Sequence, residues 1–171
     1  KRHSGDTKVT DLLYKCYGQA ILDDDREEDF EEILKVIKDR YDSIINGLEL
    51  TISLDDEFKT IRENFSKKIG RDYAASRGEY LNGIIMAAYL GYEFIDAAEV
   101  IFFDEEGEFD AEKTNEVLSE RLAHTERAVI PGFYGSNPDG TIHTFSRGGS
   151  DITGSIVARA VHADMYENWT D

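Results

Sequence analysis

The chain has 171 residues, and its 36 Asp and Glu against 19 Lys and Arg give a formal net charge of −17. That length suits one domain, burying roughly 70% of the unfolded chain's surface, while the acidic balance excludes a nucleic-acid binder, which needs clustered Lys and Arg. The single Cys excludes a disulfide framework or a four-cysteine zinc site and points to a reducing, cytoplasmic compartment; no apolar run approaches the roughly 20 residues of a membrane span, and no signal peptide is visible.

The chain opens Lys1-Arg2-His3 without Met and stops at Trp169-Thr170-Asp171. Both ends are expected to be cuts through a longer protein.

Helical spacing dominates the first 91 residues. Val9, Leu12, Leu13, Cys16, Tyr17 and Ala20 recur at steps of three and four after the polar starters Ser4, Asp6 and Thr7. The acids from Asp23 to Asp29 predict a loop and a helix start, because negative charge favours the positive end of the helix dipole. Phe30, Ile33, Leu34, Ile37, Tyr41, Ile44, Ile45 and Leu48 form the clearest apolar stripe, and Leu54, Phe58, Ile61, Phe65 and Ile69 form another. A fourth helix is predicted over about 71–89 with Gly91 as its stop.

Strands are expected next, at 92–96 and 99–103. Asp104-Glu105-Glu106-Gly107 reads as a turn, and Asp110 is placed to cap a helix reaching about residue 124. The stretch 127–131 predicts a buried strand running into the loop Gly132-Phe133-Tyr134-Gly135. Asn137-Pro138-Asp139-Gly140 is a strong turn signal, with 141–145 pairing back onto what precedes it. Arg147-Gly148-Gly149-Ser150-Asp151 is expected to open a helix running through Ala163, with a last strand at 164–169. Alternation of strand and helix implies an α/β fold with a mainly parallel sheet.

Chemistry concentrates at Thr144-Phe145-Ser146-Arg147-Gly148-Gly149-Ser150-Asp151-Ile152-Thr153. Paired glycines allow a tight turn that presents free amides at a helix start, where the dipole favours an anion. Arg147 adds a fork suited to a carboxylate or phosphate. Two readings of the turn stand: a ligand site, or Ser150 and Asp151 simply capping the helix. Gly132-Phe133-Tyr134-Gly135 is likewise either an ordinary β-turn or a second loop approaching a ligand. Glu79, in Arg77-Gly78-Glu79, is expected from periodicity to be a solvated surface acid, although a glycine inside a helix costs about 1 kcal/mol and implies close packing. His3, His124, His143 and His162 lack metal-ligand spacing, Cys16 is expected to be a buried, inert thiol, and no Walker phosphate loop is present.

As an ordered set, these segments resemble the aspartate kinases. Phe145-Ser146-Arg147-Gly148-Gly149-Ser150-Asp151 followed by Trp169-Thr170-Asp171 is similar to that family's substrate and nucleotide signature. Gly132-Phe133-Tyr134-Gly135, Arg77-Gly78-Glu79 and the opening Ser4-Gly5-Asp6-Thr7-Lys8-Val9-Thr10-Asp11-Leu12-Leu13 match in the same order. The resemblance spans essentially the whole chain. It implies the amino-acid kinase (carbamate kinase-like) fold, a three-layer α/β/α sandwich truncated at both ends, with a mainly helical substrate lobe at 1–91 and an α/β segment at 92–171. It implies transfer of the ATP γ-phosphoryl to the side-chain carboxylate of L-aspartate, giving 4-phospho-L-aspartate on the way to lysine, threonine and methionine.

By the same resemblance Arg147 holds a substrate carboxylate and Glu79 meets the substrate ammonium. Thr10, Thr144 and Ser150 hydrogen-bond aspartate beside Gly148 and Gly149, and Asp151 organises the reacting centre. Gly132 and Gly135 approach the phosphates, and Thr170 and Asp171 begin the nucleotide pocket. Mg-ATP is the implied co-substrate, no protein metal site is expected, and the whole protein is expected to be a homodimer or larger homo-oligomer. The family's opening Lys-Phe-Gly-Gly-Thr-Ser loop, the nucleotide segment after Trp-Thr-Asp and the regulatory ACT domains are not in these residues, so the chain alone is expected to be inactive. Ser146 stands where many members carry glycine. The alternatives are another amino-acid kinase, acting on glutamate or acetylglutamate, and a non-catalytic helical interaction module.

Overall fold

The computed structural model describes residues 7–21, 27–146 and 148–169. The predicted starters Ser4 and Asp6 and most of the acidic run lie outside them. The chain divides into two compact units, Lys1–Leu81 and Asn82–Asp171, with the division falling inside a helix.

In the first unit, α1 (Val9–Ile21), α2 (Glu27–Gly47) and α3 (Asp55–Ser66) precede the start of α4 (Arg71–Leu90). Their apolar stripes meet around Phe65, which is fully buried. Its ring contacts Tyr17 edge-on at 5.4 Å and Tyr73 at 6.1 Å, with Phe30 at 6.4 Å, geometries that aromatic quadrupoles favour. Phe30, Leu34, Ile37, Tyr41 and Ile45 of α2 are buried, but Ile44 and Leu48 at the end of the same predicted stripe are 40% and 38% exposed. Cys16 is fully buried, with its Sγ directed at the Phe30 carbonyl at 3.7 Å, and burial pushes its thiol up to about 12. The buried thiol expected from sequence is observed.

The second unit takes the rest of α4, then β1 (Glu93–Phe94), α5 (Ala97–Val100), α6 (Ala111–Leu122), β2 (Ala128–Val129), β3 (Tyr134–Ser136), β4 (Ile142–Thr144) and α7 (Gly149–Ala160). Gly91, with φ +67°, ends α4 as predicted, and the Asp110 carboxylate caps α6 by accepting the Lys113 N–H at 3.0 Å. β1 pairs with β2 in parallel, and β3 pairs with β4 antiparallel. Phe102 forms a parallel bridge to Ser136 and Phe103 an antiparallel one to Phe109. Pairing is therefore divided between the two senses, where a mainly parallel sheet was expected.

The Asn137-Pro138-Asp139-Gly140 turn forms as predicted. Gly140, at φ +82°, donates to the Asn137 carbonyl at 2.9 Å, and the Asp139 carboxylate accepts from the Thr141 N–H and hydroxyl at 2.9 and 2.6 Å. Those bonds hold the Asp139 carboxyl below its ordinary value.

Two of the predicted strands do not form. The segment 99–103 is not one strand, because Asp96 caps the single-turn helix α5 through the Ala98 N–H at 3.0 Å, leaving extended bridges only at Phe102 and Phe103. The segment 164–169 pairs with no strand among the described residues, and its Met165 and Trp169 are 74% and 86% exposed. No helix among the described residues is long and apolar enough to cross a membrane.

Candidate functional site

Gly132, Gly148, Gly149, Ser150 and Asp151, among the predicted residues of the second unit, lie on two interleaved turns. β2 runs through buried Pro131 into Gly132 and Phe133, and β4 leads towards the start of α7. A β-carbon on Gly132 would stand 2.9 Å from the Ser150 α-carbon, and one on Gly149 would stand 2.8 Å from the Phe133 α-carbon. Real β-carbons do not approach backbone so closely, so both glycines are required for the loops to touch. Phe133 itself has φ +86°, a conformation rare for a bulky residue and commonest where the surroundings over-determine it. Its carbonyl accepts the Phe145 N–H at 2.9 Å and its N–H donates to the Thr153 hydroxyl at 3.1 Å.

Gly148, at φ +59°, precedes α7 with no side-chain cap. Neither Ser150 nor Asp151 caps the helix; both sit inside its first turn, so the capping reading of this turn is not realised. Free first-turn amides together with the helix dipole favour an anion there. Ser150 and Asp151 are exposed, and the Asp151 carboxylate accepts the Asn168 amide at 3.0 Å. Thr144 lies in β4 opposite Tyr134.

Gly135 is the exception among the predicted loop glycines. It lies within β3, where a β-carbon would stand 2.5 Å from the Ile101 carbonyl oxygen, so strand packing already requires glycine there. Arg147, Thr170 and Asp171 lie outside the described residues.

The predicted residues of the first unit are Thr10 and Glu79. Thr10 is half-buried in the first turn of α1. Next to it, Val9 and Leu13 pack on Gly78, each 3.7 Å from where a β-carbon would be. The buried Tyr41 hydroxyl donates to the Gly78 carbonyl at 3.0 Å, and burial, then the neighbouring Glu79 carboxyl, push the Tyr41 phenol above its ordinary range.

Glu79 is not the solvated acid that periodicity predicts. It is half-buried, its Oε2 is enclosed with no hydrogen-bond partner among the described residues, and burial raises its carboxyl above the usual carboxylate value. The reason lies in α4, which is buried continuously from Tyr73 to Gly78 and so has no single wet face that spacing could identify. Buried polar oxygens are nearly always satisfied, so an orphaned one marks a place for a donor.

Arg77, which sequence reasoning left without a role, is 5% exposed. Its guanidinium stacks between the rings of Tyr73 and Tyr80 at 4.4 and 4.3 Å and donates to the Ser76 hydroxyl at 3.1 and 2.9 Å. The visible signal was the spacing: Tyr at four before and three after Arg on one helix face. Phe133 and Thr153 lie inside the two stretches that the sequence singled out, but nothing in the sequence gave either a role of its own.

A sequence profile of the amino acid kinase family matches residues 3–171. The chain belongs to the amino acid kinase family. Its α/β fold is that family's fold. Over 186 aligned positions it is 36% identical to aspartokinase 3 of Bacillus subtilis, the match covering all of this chain and 40% of that protein. The crystal structure of Clostridium acetobutylicum aspartate kinase superposes with a TM-score of 0.90 at 48% identity, covering all of this chain and 38% of that one. Escherichia coli aspartokinase III, solved with aspartate and ADP, shares the fold at a TM-score of 0.78 and 22% identity. This member of the family thus spans about 40% of the length of the curated relative it matches from end to end.

Proposed function

We propose that this chain is the aspartate-recognising part of an aspartate kinase, which transfers the γ-phosphoryl of ATP to the side-chain carboxylate of L-aspartate and yields 4-phospho-L-aspartate and ADP for lysine, threonine and methionine synthesis. The observation that carries the reading is Glu79, whose enclosed carboxylate oxygen has no donor among the described residues in a chain that is 48% identical to an aspartate kinase. A substrate ammonium is the donor that would satisfy it, with a charge-assisted bond stronger than a neutral one.

Each remaining residue takes a share of the ligand. Arg147 pairs with a carboxylate, Thr10, Thr144 and Ser150 hydrogen-bond aspartate, and the amides at Gly148 and Gly149 favour its negative charge. Asp151 orients the reacting centre. Gly132 brings backbone towards the phosphates, whereas Gly135, packed in β3 against the Ile101 carbonyl, keeps a packing role only; Thr170 and Asp171 begin the nucleotide pocket. A β-carboxylate oxygen attacks the γ-phosphorus while the bond to the β-phosphate oxygen breaks; no proton need move. Such a transfer depends chiefly on alignment and on neutralising charge.

No group of three His, Cys, Asp or Glu side chains able to hold a metal exists among the described residues. Mg²⁺ enters this reading as a companion of the nucleotide, held by phosphate oxygens and water, where it would neutralise phosphate charge. The whole protein works in the cytoplasm, where ATP is made, and self-associates as a homo-oligomer, a part of the reading supported by the family resemblance. The 171 residues alone, at about 40% of a relative's length, are expected to bind without turnover.

The test is acyl phosphate formation from ATP and L-aspartate by the full-length protein, trapped as the hydroxamate with hydroxylamine. Hydroxamate from L-aspartate but not L-glutamate, abolished by Glu79→Gln, supports the reading. Equal or faster reaction with L-glutamate overturns it.

A further inference from the structure

Thr153 lies in α7 and is 3% exposed. Its hydroxyl accepts the Phe133 N–H at 3.1 Å and donates to the Gly149 carbonyl at 2.7 Å. A threonine hydroxyl has one proton to give, and here that proton goes to one turn while a lone pair serves the other. The same two turns leave each other no slack. Gly132 meets the Ser150 backbone and Gly149 meets the Phe133 backbone at distances that exclude a β-carbon. Phe133 is held at φ +86°, a strained conformation that persists only where neighbours enforce it. The Phe145 N–H, bonded to the Phe133 carbonyl at 2.9 Å, ties the approach to the second turn to the first as well.

We propose that Thr153 is a positioning residue that locks the turn at 132–133 and the turn at 148–150 into one body, so that a ligand ordering either turn orders the other. The observed juxtaposition is a single buried hydroxyl bonded to both turns beside a strained Phe133. Ordering of the shared body is then completed by the first ligand, and the second binds to a turn already set, which is positive coupling. The identity of the ligands, aspartate at 148–150 and a phosphate at 132–133, rests on the aspartate kinase reading. The lock itself does not.

Native-state amide exchange on the chain separates the two. In the wild type, the Phe133 amide and the Ile152 amide, which is bonded to the Gly148 carbonyl at 2.9 Å, open together with the same denaturant dependence. Thr153→Val keeps the side-chain shape and removes the hydroxyl. It is expected to cut Phe133 protection at least about tenfold and to separate Phe133 opening from Ile152 opening, because a buried hydrogen bond is lost. Thr153→Ser restores both. If the valine variant does not fold, Thr153→Ala against Thr153→Ser makes the same comparison, since those two differ only by the hydroxyl. Added L-aspartate shifts the Gly132 and Phe133 amides in the wild type and only the amides at 148–151 in the valine variant. Unchanged joint opening without the hydroxyl, or no rescue by serine, overturns the lock. Wild-type amides that ignore L-aspartate while the exchange pattern holds would count against the aspartate reading and leave the lock supported.

Discussion

The Gly132 backbone lies against Ser150 so closely that a β-carbon on it would stand 2.9 Å from the Ser150 α-carbon. Residues far apart in helix and loop thereby share one wall, and two of the glycines that sequence reading singled out serve that contact. Gly132→Ala and Gly149→Ala are each expected to destabilise the chain by about 1–3 kcal/mol, the usual cost of overpacking against backbone. Gly18→Ala is expected to act oppositely, stabilising by about 0.5–1 kcal/mol, because nothing lies within 4 Å of its β-carbon position in α1. Urea midpoints at unchanged m-value measure all three.

Glu79→Gln is expected to stabilise the fold by about 1 kcal/mol at pH 7 while removing recognition of an ammonium ligand, because it replaces an enclosed, unpartnered carboxylate oxygen by a neutral group. Burial raises the Glu79 carboxyl above 4.5. A raised carboxyl contributes stability that is fully present below its unfolded value and lost as pH rises through the folded one. The gap between variant and wild type should therefore be small at pH 4 and largest at neutral pH. A gap independent of pH would contradict the burial argument.

Cys16 is expected to resist a disulfide reagent at pH 8 for as long as the chain is folded. Its thiol is pushed from 9.0 to about 12 by burial, with Glu31 adding to the effect, and only the thiolate reacts. The linked stability is complete below pH 9 and is lost as pH climbs through about 12. Rapid labelling that matches a denatured control would contradict this.

Arg77→Lys is expected to cost about 2 kcal/mol. A lysine cannot stack flat between Tyr73 and Tyr80 or offer two donors to Ser76 from one planar group. Thermal unfolding of the variant, with Arg77→Met as the uncharged control, reads the loss.

Much of the framework was legible because its causes are local. Steps of three and four placed the four long helices, Gly91 ended one, and Asp110 and Asn137-Pro138-Asp139-Gly140 set a cap and a turn. What escaped depends on neighbours distant in sequence. Ile44 and Leu48 obey the α2 stripe yet stay exposed, although Ile45 between them is buried, so spacing alone does not tell which stripe positions are covered. Glu79 was misread from periodicity because α4 around it is buried on all sides, and only the family resemblance gave it a ligand. Phe133 and Thr153 fell within the stretches singled out from sequence, but their roles come from two loops meeting and could not be read there. Gly135 was taken with the loop, although its β-carbon space is filled by the Ile101 carbonyl.

The most direct measurement is an amide NMR titration of the chain with L-aspartate, using L-glutamate, succinate and Glu79→Gln as comparisons. Saturable shifts at Glu79, Ser150 and Asp151 that succinate, lacking the ammonium, does not produce and that vanish in the variant are the predicted result. Shifts of equal size and affinity with succinate, or with the Gln variant, would contradict an aspartate site built on Glu79.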